Sequence, residues 1–143
     1  MRAVLDTNVL VSALIVKVGK PAQIIRQVGE FELLTSEEIL AETERVLHYK
    51  HIHRRYHLTE EDIQGFVAHL RAVAKMVQVQ SKVEVIKEDP DDNKFLACGL
   101  DGGARYIVSG DPHLKELKDY QGIKIMPPAQ FLELVAPRSG RAR

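Results

Sequence analysis

The chain has 143 residues, 45% hydrophobic and 28% charged, and its twenty basic residues balance twenty acidic ones for a formal net charge of zero. That composition excludes wholesale disorder and a uniformly basic nucleic-acid coat, yet it leaves room for a local acidic site with a basic rim. A single cysteine, Cys98, excludes an intramolecular disulfide framework and fits a reducing cytoplasm. No apolar run approaches the ~20 residues of a membrane span, and no signal-peptide pattern opens the chain. The expectation is one soluble cytoplasmic domain over residues 1–136 with no membrane association, followed by a basic, disordered tail over 137–143 that carries Arg138, Arg141 and Arg143.

Strands and helices alternate along the sequence. Ala3-Val4-Leu5 is a short unbroken apolar run, the pattern of a parallel strand covered on both faces. Asp6-Thr7-Asn8 ends it, and Val9, Leu10, Ala13 and Leu14 take up a helical period. Pro21 suits the first turn of a second helix, Ala22 to Val28, closed by Gly29. Phe31 to Thr35 reads as a strand, and Ser36 as the N-cap of a helix running to about His48. Residues 50–76 read as two helical pieces with Thr59 capping the second. Its stripe of Ile63, Phe66, Val67, Leu70 and Ala74 belongs either to the core or to a homodimer interface.

Val83 to Ile86 fits a short strand or an extended link equally well. Asp89-Pro90 opens a helix through Leu100, which Gly102-Gly103 stops. Tyr106 to Ser109 is a strand, Pro112 to Leu117 a short helix, Ile123 to Met126 a strand and Ala129 to Val135 the last helix. Elements alternating at these lengths predict an α/β domain with a mainly parallel sheet.

In such sheets, ligands bind beyond the carboxyl ends of the strands. Asp6 and Asp111 fall at two such ends, although an aspartate that merely caps a turn would do the same. In Asp89-Pro-Asp-Asp-Asn93, capping accounts for Asp89 and for Asp91, but not for Asp92. At ~100° per residue, Asp92 lies near the centre of the apolar face made by Phe95, Leu96, Gly99 and Leu100, with Lys94 and Asp101 opposite. An inward carboxylate needs a compensating partner. On the helix after Ser36, Glu42 and Glu44 flank the apolar stripe at similar angles, so periodicity does not choose between them.

Convergence of Asp6, Asp92, Asp111 and one glutamate would either force protonation or require a cation. Two such charges ~4 Å apart repel by roughly 4 kcal/mol at an effective dielectric near 20. Oxygen donors without Cys or His point to Mg²⁺ or Mn²⁺ rather than zinc, and the chemistry suited to that site is phosphodiester hydrolysis by metal-activated water.

Leu5-Asp-Thr-Asn-Val9, Glu42, Asp92-Asn-Lys-Phe-Leu-Ala97 and Ser109-Gly-Asp111, in this order and spacing, resemble the PIN-domain family. The closest resemblance is to the toxins of type II toxin–antitoxin systems related to VapC, and it runs from Met1 to about Val135. It implies a Rossmann-like three-layer α/β/α fold whose mainly parallel sheet has four to five strands. It also implies a Mg²⁺- or Mn²⁺-dependent endoribonuclease acting on RNA, a cognate antitoxin partner and a homodimer. The family pattern assigns the catalytic and metal-binding acids to Asp6, Glu42, Asp92 and Asp111, and it is this pattern that selects Glu42 over Glu44. Asn8 and Ser109 match positions that support the site through hydrogen bonds. His113 departs from the pattern, because many relatives carry another acid there.

Other features have plainer readings. Four histidines between His48 and His57 are interleaved with Lys50, Arg54 and Arg55, which reads as a basic solvated surface able to contact RNA phosphates. His53 and His57 lie one turn apart, but no Cys and no inward acid nearby supports zinc there. Cys98 reads as a small core residue. The alternative function is an RNA- or protein-binding PIN module without catalysis. A phosphatase of the haloacid-dehalogenase type would need an acid where Asn8 stands, and a receiver domain would need an acid pair where Thr7 and Asn8 stand.

Overall fold

Ala3, Val4 and Leu5 are fully buried, so strand β1 (Arg2–Leu5) is covered on both faces, as its unbroken apolar run requires. The computed structural model describes residues 1–87 and 90–136. In it, β1 pairs in parallel with β2 (Glu32–Thr35) on one side and β4 (Tyr106–Val108) on the other. Beyond β4 lies β6 (Ile123–Met126), and two-residue strands β3 (Lys75–Met76) and β5 (Asp119–Tyr120) form the edges, giving the order β3-β2-β1-β4-β6-β5. β5 runs antiparallel to β6, and the other described pairings are parallel. The sheet therefore has six strands, slightly more than the four to five expected. Both edge strands are too short to leave a period in the sequence.

The helices are α1 (Thr7–Ile15), α2 (Lys20–Arg26), α3 (Glu37–Leu47), α4 (Lys50–His53), α5 (Glu60–Val73), α6 (Asn93–Gly102), α7 (Pro112–Leu117) and α8 (Pro128–Val135). Ser36 Oγ accepts from Ile39 N–H at 3.2 Å to start α3. Thr59 and Asp62 exchange bonds in a capping box that starts α5. α6 packs across β1, β2 and β4 and also touches α3, while α1 packs on α2 and α3. Among the described residues, no single helix is long and apolar enough to cross a membrane.

The stripe on α5 is spent inside the monomer. Leu70 joins the main core, while Ile63 packs with Val11 and Leu47 in a second, smaller core beneath α1 and α3, and Phe66 touches both. Ala74 does not extend the stripe: it is the extended residue that turns the chain from α5 into β3.

The segment before α6 settles the open reading of Val83 to Ile86, which is an extended link and not a strand. Side chains of α6 hold it in place of a ladder. Asp101 accepts from Gln80 N–H at 2.6 Å, from Ser81 N–H at 2.8 Å and from Ser81 Oγ. Asn93 accepts from Ile86 N–H at 2.9 Å and donates to Ile86 O at 2.9 Å and Pro90 O at 3.0 Å. Pro90–Asp92 forms a 3-10 turn, so the α-helix begins at Asn93, later than the sequence predicts. At its other end, Gly103 at φ 71° supplies the left-handed residue that stops α6. The expected cap at Asp89 and the expected tail over 137–143 lie outside the described residues.

Asn93 is buried, so Asn93→Ala leaves both backbone polar groups of buried Ile86 without their partners. We expect a loss of about 2–6 kcal/mol in urea unfolding, from two orphaned groups at roughly 1–3 kcal/mol each. An unchanged midpoint would show that water replaces both bonds.

Candidate functional site

The register of β1 against β4 builds the centre of the site. Leu5 lies opposite Val108, and Asp6 N–H donates to Val108 O at 3.1 Å, so Asp6 and Ser109 leave the sheet side by side. Ser109 Oγ donates to Asp6 Oδ2 and accepts from Asp111 N–H at 2.9 Å. One fully buried hydroxyl thus ties together the two acids that follow adjacent strands.

Both aspartates are helix caps as well. Asp6 Oδ1 accepts from Val9 N–H at 2.8 Å at the start of α1. Asp111 Oδ1 accepts from His113 N–H at 2.8 Å and Leu114 N–H at 3.3 Å at the start of α7. Their turn-capping role is real, but it engages only one oxygen of each.

Asp6, Glu42, Asp92 and Asp111 line a single cleft beyond the carboxyl ends of β1 and β4, together with Thr7, Asn8, Asp91 and Phe95. Glu42 enters from α3 with both oxygens engaged: Thr7 Oγ1 donates to Oε1, and Lys94 Nζ donates to Oε2 at 2.9 Å. Glu44 is turned the other way, accepting from Gln64 Nε2 on α5 at 3.1 Å. The geometry therefore separates two glutamates that helical periodicity left equivalent. Asp92 is half-buried at the end of the 3-10 turn, immediately before α6.

Lys94 corrects the helical-wheel reading, which set it opposite the packed face. Its side chain is only 8% exposed and bonds Glu42 and, at 2.9 Å, Asp91 O. The reason is that α6 lies between the sheet and α3, with Asn93 and Phe95 to Gly99 all buried, so it has no solvated polar face at this end. Thr7 was also missed as a site residue, although its place directly after a strand-terminal aspartate was the available signal.

The electrostatics of the cleft are strained. Burial chiefly pushes the Asp6 carboxyl up, the bonds from Ser109 and Val9 oppose that rise, and the charges on Asp111 and Glu42 add to it, so that it stands at about 6 in place of 3.8. Asp92, Asp111 and His113 each bring one potential ligand atom to within 4.8 Å of the others. His113, where the resemblance expects another acid, thus stands beside Asp92 and Asp111. A buried carboxyl reluctant to ionise, among further carboxylates and beside a ring nitrogen, is a donor set that fits a divalent cation.

The remaining candidates are placed as follows. Asn8 lines the cleft but is exposed and makes no side-chain hydrogen bond among the described residues, so its expected bonding role has no partner here. Lys50, Arg54 and Arg55 are exposed and enter no ion pair among the described residues, and Lys50 follows the cleft residue Val46 by four residues, a reach of at most ~14 Å. His48 bonds Glu60 at 2.7 Å. Cys98 is buried, and burial pushes its thiol up to about 12, which leaves it inert.

Comparison with known proteins gives three findings. The profile of the PIN domain family matches residues 2–113. An uncharacterised protein of Methanocaldococcus jannaschii, MJ1680, is 29% identical over 146 residues, covering 93% of this chain and 90% of its own length. A chain in the crystal structure of VapBC2 from Rickettsia felis, bound to a DNA fragment from their promoter, superposes with a TM-score of 0.61 at 14% identity. That match covers 87% of this chain and 97% of the other, and it shows a shared fold.

The position of Asp6 yields a pH dependence for the metal-free protein. The folded state holds the Asp6 proton more tightly than the unfolded chain, so this carboxyl favours folding below about pH 4 and loses that contribution as pH rises through about 6. Two pKa units correspond to on the order of 2–3 kcal/mol. Asp6→Asn keeps a cap acceptor without the charge, so it should raise metal-free stability at pH 7 by a gain of that order, fading toward pH 4. Chemical denaturation in EDTA at both pH values measures it, and a mutant less stable at pH 7 would contradict the strained-carboxyl account.

Proposed function

The chain belongs to the PIN-domain family, and on that footing we propose that it is a divalent-cation-dependent endoribonuclease, the toxin of a toxin–antitoxin pair. The observation that carries this reading is the convergence of Asp6, Glu42, Asp92 and Asp111 on one cleft from four separate stretches of sequence. The fold shared with a chain of VapBC2 supports the toxin–antitoxin setting and an antitoxin partner. The choice of RNA as substrate rests on the sequence resemblance.

In this reading Asp6, Asp92 and Asp111 hold Mg²⁺ or Mn²⁺, with Glu42 at the edge of the site. A cation bound there supplies an activated water and neutralises phosphate charge. Ser109 and Val9 N–H fix the Asp6 carboxylate, so it meets its partners without reorganising. Thr7 and Lys94 fix Glu42 in the same way, and its remaining lone pairs are free to accept a proton from water in the cleft. Lys50, Arg54 and Arg55 would hold the flanking phosphates. Because the α5 stripe is spent in the monomer core, the homodimer implied by the resemblance would have to use another face.

Cleavage of single-stranded RNA should require Mg²⁺ or Mn²⁺, stop with EDTA, and leave 5′-phosphate and 3′-hydroxyl ends. Asp6→Asn should abolish it in a folded protein, and Glu44→Gln should stay near wild type. Asp92→Asn should lose most Mn²⁺ affinity in calorimetric titration. Cyclic 2′,3′-phosphate ends, or cleavage that survives EDTA, would refute the metal–water mechanism. RNA bound but never cut under any divalent metal would favour the binding-module alternative.

A further inference from the structure

His113 stands beside two acids of the cleft, Asp92 and Asp111, and the acidic quartet does not absorb its chemistry. Its ring Nδ1 is buried and has no hydrogen-bond partner among the described residues, although the side chain as a whole is 40% exposed. The ring is therefore turned so that this nitrogen faces inward while other ring atoms meet solvent. Facing it is Asp111 Oδ1 at 3.8 Å, too far for a hydrogen bond. That oxygen is already engaged by the backbone N–H groups of His113 and Leu114. An ordinary histidine–aspartate ion pair would close this gap and satisfy the nitrogen; here the nitrogen is held beside the carboxylates without bonding them.

Metal geometry accounts for that spacing. The ligand atoms of Asp92, Asp111 and His113 lie within 4.8 Å of one another. Two atoms bound trans to one ion at ~2.1–2.2 Å sit about 4.3 Å apart. Three donors cannot all be mutually trans, and cis donors sit about 3 Å apart, so a shared ion needs the three side chains to close by up to roughly 2 Å. The local backbone already holds His113 in place, because Pro112 fixes the first turn of α7 and His113 N–H is anchored on Asp111.

We propose that His113 is a nitrogen ligand of the cleft cation, so that the site takes a first-row transition-metal ion such as Mn²⁺ in preference to Mg²⁺. The proposal rests on the metal-dependent reading above and deepens it. Mg²⁺ favours an all-oxygen shell with several retained waters, whereas imidazole binds transition ions well. Replacing an acid by a neutral ring at this position also removes one negative charge, which weakens the pull on Mg²⁺ most.

Electron spin-echo envelope modulation of the protein loaded with one equivalent of Mn²⁺ reads the bond directly, without any activity assay. Wild type should show the coupling of a directly bound ¹⁴N nucleus, and His113→Asp should lose it while still binding Mn²⁺. Calorimetry with Mn²⁺ alone and Mg²⁺ alone should show the preference for Mn²⁺ falling several-fold in His113→Asp. Bound Mn²⁺ without nitrogen coupling in wild type overturns this proposal and leaves the metal-dependent reading standing. Coupling that persists in His113→Asp overturns it as well, since another histidine is then the donor. Failure of Mn²⁺ to bind wild type at all removes both readings.

Discussion

Asp6 must stay in a buried place where its own charge is unwelcome, and the surrounding structure is arranged to keep it there. Its carboxyl is fixed at the end of the central strand by register, because Leu5 pairs with Val108 and the chain has no freedom until after Asp6. Ser109 and Val9 hold both oxygens, and Glu42 and Asp111 add like charge nearby. Water is largely excluded, so the repulsion is screened less than it would be at the surface. A protein that only needed to fold would do better with a neutral residue here. The strain is intelligible as preparation for a cation.

Lys94 shows how far the chain goes in neutralising itself. It meets one of the acids, Glu42, in a nearly buried pair, and removing one partner of such a pair typically costs about 3–5 kcal/mol. The same lysine ties α6 to α3 and bonds the backbone of the 3-10 turn that presents Asp92. Part of the cleft is therefore held by an internal counter-ion, and Asp6, Asp92 and Asp111 border the other part. His113 borders that second part, which is why its inward nitrogen has chemical meaning.

Much of this was legible in the sequence, for physical reasons that differ by residue. Asp6 and Asp111 could be found because strand ends are marked by apolar runs that stop abruptly, and the main parallel strands follow from the same runs. Glu42 could not be separated from Glu44 by periodicity, since α3 is packed on both flanks. One flank turns to α1 and α6, the other to α5, and only tertiary contact distinguishes them. Lys94 was misplaced because a helical wheel assumes one wet face, and α6 has none near its start. The link at Val83 to Ile86 resisted assignment because Asn93 and Asp101 hold it from a distance in sequence, and such bonds leave no period. The edge strands Lys75–Met76 and Asp119–Tyr120 are too short for alternation to register.

The central claim is that the acids of this cleft are gathered to hold a divalent cation. A crystal structure of the protein soaked in Mn²⁺, with data collected to reveal anomalous scattering, tests it most directly. The account predicts one strong anomalous peak bordered by Asp6, Asp92 and Asp111, with Lys94 still on Glu42. A cleft without anomalous density at saturating Mn²⁺, its carboxylates unmoved, would contradict it.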